Sequence, residues 1–247
     1  MSGHSKWNSI KHKKAKVDAQ RGKVFTRLIK ELTVAARMGG GDPEANARLR
    51  TAIATAKGAN MPADNIERAI KKGTGELPGV TYEEVTYEGY GPAGVAIMVD
   101  VMTDNKNRTV AEIRHLISRH GGNMGGSVAW MFHKRGVITI EGENVDEDAL
   151  MEAAIDAGAD DVSNEDGVFE VMTDTASFET VRGVLEGKGF PIVSAEIMRI
   201  AENTIKASGS EAQKVLRLMD ALENHDDVQS VVSNVDIPSE ELDEMED

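Results

Sequence analysis

Cysteine is absent from the 247 residues. That excludes a disulfide framework, a thiolate metal site and a cysteine nucleophile, and it suits a reducing compartment. No apolar run approaches the roughly 18 residues of a membrane span. The basic N-terminus lacks the apolar core of a signal peptide. It matches an organelle transit peptide by charge alone, but a helical pattern runs straight out of it into the fold. The expectation is a soluble cytoplasmic protein.

Catalytic signatures are missing as well. There is no serine-nucleophile elbow, P-loop or HExxH. The six histidines are scattered. His115 and His120 are separated by about 140° around a helix and do not converge on a metal. The paired acids Asp160-Asp161 and Asp226-Asp227 read as solvated surface, because acid–base chemistry needs two carboxylates held in distinct environments. No enzyme activity, cofactor, metal or small-molecule substrate is expected. Aromatic residues make up only 4% of the chain. The strands of the unit at 133–205 carry only Phe169, so the stacking platform of an RNA-recognition motif is excluded.

Charge is present in abundance, and it is divided. Residues 1–75 hold 16 Lys/Arg against 6 Asp/Glu, a net of +10, whereas the remainder holds 12 against 36, a net of −24. An acidic body repels a polyanion, so contact with one is confined to the basic head. With a Debye length of about 8 Å at physiological salt, a distant acidic domain does not cancel that head.

The head has two parts. Residues 4–17 mix lysines with His4, Trp7 and His12 and cannot bury enough surface to fold alone. From Asp18 the pattern turns helical: Phe25, Leu28, Ile29, Leu32 and Ala36 recur at three- and four-residue steps. Lys23, Arg27, Lys30 and Arg37 fall on the other side, as a cationic ridge expected to face outward. Gly39, Gly40 and Gly41 stop this helix. Asp42-Pro43-Glu44 reads as the start of a second helix. A third opens at Pro62, with Asp64 and Glu67 early, Lys71 and Lys72 late, and Gly73 at its end, as the macrodipole favours. The candidate nucleic-acid-binding residues are Lys6, Trp7, Lys11, His12, Lys13, Lys14, Lys16, Arg21, Lys23, Arg27, Lys30, Arg37, Lys71 and Lys72. For the last two, a dipole-matched helix end explains the charge equally well.

Beyond the linker Gly75–Gly79 the hydrophobic period becomes two. Gly89-Tyr90-Gly91-Pro92-Ala93-Gly94 is a formal GxGxxG, but the β-rich Val95–Val99 follows it where a dinucleotide site needs a helix, so a hairpin turn is expected. Thr103–Thr109 enters a helix carrying Val110, Ile113 and Ile117. Its amides with Lys106 and Arg108 suit a phosphate, and a capping loop is the ordinary reading. Ser127–Phe132 reads as a strand, with Trp130 and Phe132 in the core or on the strand face. His133–Gly136 reads as a junction.

The next unit follows the order βαββαβ, a split-βαβ sandwich. A helix at 210–224 and a strand at 228–235 have no sheet of their own and complete the region 84–132. The expected fold class is α+β: a basic arm and helical bundle over 1–77, a middle α+β domain from 80–132 plus 208–237, a βαββαβ domain inserted at 133–205, and an acidic tail at 238–247.

Four blocks carry a family resemblance: GHSKWNSIKHKKAKVDAQRGKVFTRLIKEL, MPADNIERAIKKG, YEGYGPAGVAIMVDVMTDNKNRTVAEIRH and GGNMGGSVAWMF. Together they resemble the YebC/PmpR family, which includes a mitochondrial translational activator of cytochrome c oxidase. The turn Gly122–Ser127 is a residue or two shorter than the family's usual one. The resemblance implies three domains, one inserted in another, and a bacterial cytoplasmic protein. It also implies a DNA-binding transcriptional regulator or, alternatively, a ribosome- and RNA-associated translation factor easing synthesis of consecutive prolines. The residues themselves leave DNA and RNA open. Phosphate-binding charge is present, but no helix carries an evident base-reading set, and a Lys/His/Trp arm suits irregular RNA.

Overall fold

The structure, a computed structural model, describes residues 18–142, 145–165 and 167–238. The chain is α+β and divides into two compact units. Within the described residues, the first comprises 18–127 with 208–233 and the second 128–207 with 234–238.

The first unit opens with three helices, α1 (Asp18–Gly39), α2 (Ala47–Gly58) and α3 (Ala63–Thr74). Leu32, Ala35 and Ala36 of α1 pack against Leu49, Ala52 and Ala56 of α2 and Ile66 and Ala69 of α3. The alanines set how closely the helices approach. Gly73 shows the limit: a Cβ there would lie 2.4 Å from the Thr33 carbonyl oxygen. The turn between α1 and α2 departs from expectation. Asp42–Ala45 is not helical, and the Asp42 carboxylate accepts from the Glu44 amide at 2.9 Å. The cap is Asn46, whose side chain accepts from the Leu49 amide at 3.1 Å and donates to the Ala35 carbonyl at 2.8 Å. Asn46 therefore both starts α2 and ties it to α1.

Strands β1 (Glu83–Tyr90) and β2 (Ala96–Thr103) pair antiparallel across the glycine-rich turn. GYGPAG is thus a hairpin connection, closed by a bond from the Gly91 amide to the Val95 carbonyl at 2.8 Å. Helix α4 (Lys106–Arg119) follows. The loop after it returns to β1, where Tyr90 and Asn123 exchange two backbone hydrogen bonds of 2.8 and 2.7 Å. Glycine is required at this crossing, since a Cβ on Gly122 would lie 2.5 Å from the Tyr90 carbonyl oxygen.

The second unit holds β3 (Phe132–Glu141), α5 (Glu147–Asp156), β4 (Asp161–Glu165), β5 (Val168–Thr173), α6 (Phe178–Gly187) and β6 (Ile192–Ala201). They form an antiparallel sheet of order β4-β5-β3-β6. Ile138, Ile140, Phe169 and Val171 of the sheet pack against Leu150, Ala154, Val181 and Leu185 of the helices. Two expectations fail at its entrance. Ala129–Met131 is a single 3-10 turn rather than part of a strand, and His133–Gly136 lies within β3 rather than at a junction. Phe132 is buried as expected, but Trp130 is 64% exposed.

The chain then closes β7 (Ile205–Lys206), returns to the first unit through α7 (Gly209–Glu223) and β8 (Val228–Ser233), and ends in β9 (Val235–Asp236). Strand β8 pairs antiparallel with β2, giving the order β1-β2-β8, while β7 and β9 form a short parallel pair. Val215, Leu218, Met219 and Leu222 form the buried side of α7. Among the described residues, no helix is long and apolar enough to cross a membrane.

Candidate nucleic-acid interface

Helix α1 has the two faces its periodicity predicts, but the basic face is only partly open to solvent: Lys23 and Arg37 are exposed, whereas Arg27 is half-buried and Lys30 is buried. Lys23 donates to the Asn224 side-chain oxygen at 2.7 Å. Arg27 donates to the Glu223 carbonyl, and burial lowers its pKa while the charge of Glu223 opposes the shift. Arg37 donates to the Tyr82 carbonyl at 2.6 Å. Lys30 is only 6% exposed. Its three protons are all used: it donates to the carbonyls of Met102 at 3.1 Å and Asp226 at 2.9 Å, and to Asp227 Oδ1 at 2.7 Å. Its ammonium also lies 5.4 Å from the centroid of the Tyr82 ring, within cation–π range. The expectation of an outward ridge is corrected for Arg27 and Lys30, while Lys23 and Arg37 lie exposed. The cations of α1 hold the helix to the turn after α7 and to the end of β2, because that surface is lined with carbonyl oxygens and one buried carboxylate.

That carboxylate, Asp227, is the centre of the arrangement. Besides Lys30 it accepts from Arg108 Nη2 at 2.8 Å and from Thr109 Oγ1 at 2.7 Å. Burial alone would raise its pKa. The hydrogen bonds from Lys30, Arg108 and Thr109, with the charge of Lys30, outweigh burial and hold it well below the usual carboxylate range. The backbone closes the same site, with the Met102 amide donating to the Asp227 carbonyl at 2.8 Å. The loop at 103–109 is a cap: Asn105 accepts from the Arg108 amide at 3.1 Å, Lys106 pairs with Glu83, and Arg108 pairs with Asp104 and Asp227. Beside it opens a cleft of about 560 Å³ lined by Tyr82, Asp104, Arg108, Glu112 and His225. His225 Nε2 lies 2.9 Å from a Glu112 carboxylate oxygen.

A second anchor is Arg48 on α2. It meets Glu31 at 2.7 and 2.9 Å and Glu84 at 3.0 and 2.6 Å. These bonds drive the Arg48 pKa further up and the Glu84 pKa down. Sequence reasoning passes over Arg48 and reads Asp227 as solvated surface, which its burial corrects. The only signals were an arginine close in sequence to the apolar stripe of α2, and an acid pair beside the start of a strand.

The other expected residues divide as follows. Lys6, Trp7, Lys11, His12, Lys13, Lys14 and Lys16, together with the acidic tail from 239 onward, lie outside the described residues. Arg21 falls in the first turn of α1. Lys71 pairs with Glu67 at 2.5 Å across one helical turn. Lys72 is exposed and shares with Arg37 a groove of about 330 Å³ between the bundle and the linker. Arg68, one turn before Lys72, is exposed too, as is Lys57 on α2. Among the described residues, Lys57, Arg68 and Lys72 make no ion pair, and no cluster of His, Cys, Asp or Glu could hold a metal.

Comparison with known proteins agrees with this architecture. Residues 5–76 match the family model of the TACO1/YebC protein N-terminal domain, and residues 82–235 that of the TACO1/YebC second and third domain. A probable transcriptional regulatory protein of Desulforapulum autotrophicum is 58% identical over 247 residues, covering 99% of this chain and 100% of the relative. A protein of the same name from Syntrophus aciditrophicus is 57% identical over 248 residues, covering 99% of each. Among solved structures, a conserved hypothetical protein from Aquifex aeolicus superposes with a TM-score of 0.79 at 51% identity, covering 91% of this chain and 93% of that one. With its bundle and its three- and four-stranded sheets inside the matched ranges, the chain belongs to the TACO1/YebC family.

Proposed function

We propose that this protein is a non-enzymatic regulator of gene expression that binds nucleic acid through its basic N-terminal region. The observation that carries this is the charge division, +10 over residues 1–75 against −24 over the rest. The relatives from Desulforapulum autotrophicum and Syntrophus aciditrophicus are named probable transcriptional regulatory proteins, which supports a regulatory role. The docked geometry of α1 divides the labour among the cations. Arg27 and Lys30 are withdrawn into the first unit, so phosphate contact falls to the arm lysines, to the exposed Lys23 and Arg37 of α1, and to exposed cations of α2 and α3. Binding of this kind follows counterion release, with a salt slope of about 0.7–0.9 per neutralised phosphate. Replacing Lys11, Lys13, Lys14 and Lys16 together with Ala should weaken binding to every target and flatten the slope. An unchanged slope in a filter-binding salt series overturns the assignment.

One observation favours translation over transcription as the setting. The central cations of the basic face of α1, Arg27 and Lys30, point to the turn after α7 and the end of β2, and so are not offered to a major groove for base reading. Backbone and shape recognition, as used on structured RNA, fits this arrangement better. Co-sedimentation with ribosomes across a salt series, against excess duplex DNA, separates the two. Retention supports the ribosomal setting, and release by one DNA sequence far better than by others at fixed salt supports transcription.

A further inference from the structure

The second unit is strongly acidic: residues 128–207 carry 6 Lys/Arg against 17 Asp/Glu, a net of −11. Such a body repels nucleic acid and an anionic membrane alike. Helix α5 concentrates the charge, with Glu147, Asp148, Glu152 and Asp156 and no cation in its 10 residues. Its inner side is formed by Leu150, Ala153 and Ala154, buried in the core shared with the sheet and α6. Asp148, Met151, Glu152 and Ile155 repeat the same three- and four-residue steps on the opposite side. All four are exposed, the apolar ones to 42% at Met151 and 49% at Ile155. Side chains three and four apart on a helix are neighbours. The outer side of α5 is therefore one continuous surface of carboxylate and apolar groups.

Folding does not account for that surface. Asp148, Glu152 and Asp156 follow one another at four-residue steps, and like charges so spaced repel. The helix dipole explains an acid in the first turn, as at Asp148, but opposes one at the last residue, Asp156. Among the described residues, none of these three carboxylates makes an ion pair or a hydrogen bond. Glu147, by contrast, accepts from the Asn164 side chain at 2.8 Å. A single exposed apolar residue is ordinary. Two of them one turn apart, beside a row of unpaired charges, have the apolar centre and polar rim of a protein contact.

We propose that the outer side of α5 is a docking surface for a basic amphipathic segment of a partner protein. Charge complementarity names the occupant. The carboxylates of Asp148, Glu152 and Asp156 take its Lys or Arg side chains, and Met151 and Ile155 take the apolar residues between them. So small a surface suits a transient contact rather than a permanent one. The site is independent of the nucleic-acid reading of the N-terminal region. It gives the acidic unit a partner of opposite charge.

The probe is a fluorescent peptide of Leu, Lys and Ala whose leucines recur at helical spacing. A scrambled peptide of the same composition is the control. Each is titrated with the full-length chain and followed by anisotropy. The amphipathic peptide should bind saturably and about tenfold tighter than the scrambled one, a contrast that charge alone does not give. Met151→Gln with Ile155→Gln should weaken its binding about tenfold at an unchanged melting temperature. Glu152→Gln with Asp156→Asn should weaken binding and flatten its salt dependence. The same pair should raise the melting temperature, because the repulsion and the conflict with the dipole are relieved. Equal affinity for the two peptides reduces the surface to unspecific charge and overturns the proposal. So does binding that the Gln pair at 151 and 155 leaves untouched, which places the peptide elsewhere on the acidic unit. A fall in melting temperature for that pair assigns Met151 and Ile155 to the fold and overturns it as well. Sedimentation of the chain alone as a dimer that the Gln pair dissolves would make a second copy the occupant. A tenfold gain in peptide affinity on removing residues 1–17 would make it this chain's own basic arm. Either result overturns the partner.

Discussion

Lys30 Nζ and Asp227 Oδ1 are 2.7 Å apart, and each side chain is only 7% exposed. They are 197 residues apart in sequence. The pair joins the bundle to the turn that starts β8, and it forms only once the chain has returned through α7. Lysine is an uncommon choice for so buried a position. It is tolerated because every ammonium proton has an acceptor and because Asp227 has further donors in Arg108 and Thr109.

Removing one partner of this pair should cost far more than a surface ion pair does. Lys30→Met leaves Asp227 buried without its ammonium and leaves the carbonyls of Met102 and Asp226 short of a donor. The expected loss is about 3–5 kcal/mol of unfolding free energy, measured by urea denaturation. Asp227→Leu should cost a similar amount. The double variant should lose distinctly less than the two single losses combined, because neither charge is then left stranded. A loss below about 1 kcal/mol for Lys30→Met would match a solvated pair and contradict the buried geometry.

The same site gives a pH dependence with a defined sign. The folded-state pKa of Asp227 is depressed, whereas an unfolded aspartate titrates near ~3.9. The stabilisation is therefore complete above about pH 4 and is lost as the pH falls through the folded value. Melting temperature should drop on acidification below about pH 4 more steeply for the wild type than for Asp227→Asn, which has no carboxylate to protonate. Parallel curves over that range would show that Asp227 titrates normally.

These effects mark the boundary of what the sequence discloses. The stripe Phe25, Leu28, Ile29, Leu32 and Ala36 was legible because burial on one side of a helix imposes a period. So were the hairpin at Gly91–Gly94 and the βαββαβ order of the second unit. The fate of Lys23, Arg27, Lys30 and Arg37 was not legible. Period alone says that a face is polar, not whether its partner is water, a phosphate or carbonyl oxygens brought from 196 residues away. Asp227 reads as solvated surface for the same reason, since its burial depends on contacts that local pattern does not encode. Trp130 reads as a core or strand-face residue because aromatics usually are, whereas in the structure it lies exposed in the turn Ala129–Met131.

The crossing of the 121–126 loop over β1 gives a sharp test of backbone proximity. A Cβ on Gly122 would lie 2.5 Å from the Tyr90 carbonyl oxygen and 2.9 Å from Ile117 Cγ2, whereas one on Gly125 meets nothing within 4 Å. Gly122→Ala must push backbone apart and should cost about 1–3 kcal/mol, as overpacking does. Gly125→Ala, three residues on, should stay within about 0.5 kcal/mol of the wild type. Equal denaturation midpoints for the two variants would show that the loop does not approach β1 as described.

The division of labour among the cations of the bundle predicts a contrast between stability and binding. Lys30 is consumed by Asp227, so Lys30→Met should lower the melting temperature yet leave unchanged the slope of log affinity against log salt, measured where the variant is still folded. Arg68 and Lys72 stand one helical turn apart on α3, exposed and without ion pairs among the described residues. Arg68→Ala with Lys72→Ala should do the reverse. Stability should hold within about 0.5 kcal/mol, as for most surface substitutions, while the salt slope falls by about 0.7–0.9 for each phosphate that is no longer neutralised. If Lys30→Met flattened the slope and the α3 pair did not, the basic face of α1 would have to leave Asp227 when nucleic acid binds. The buried ion pair would then be a closed state of the binding surface rather than a permanent part of the core.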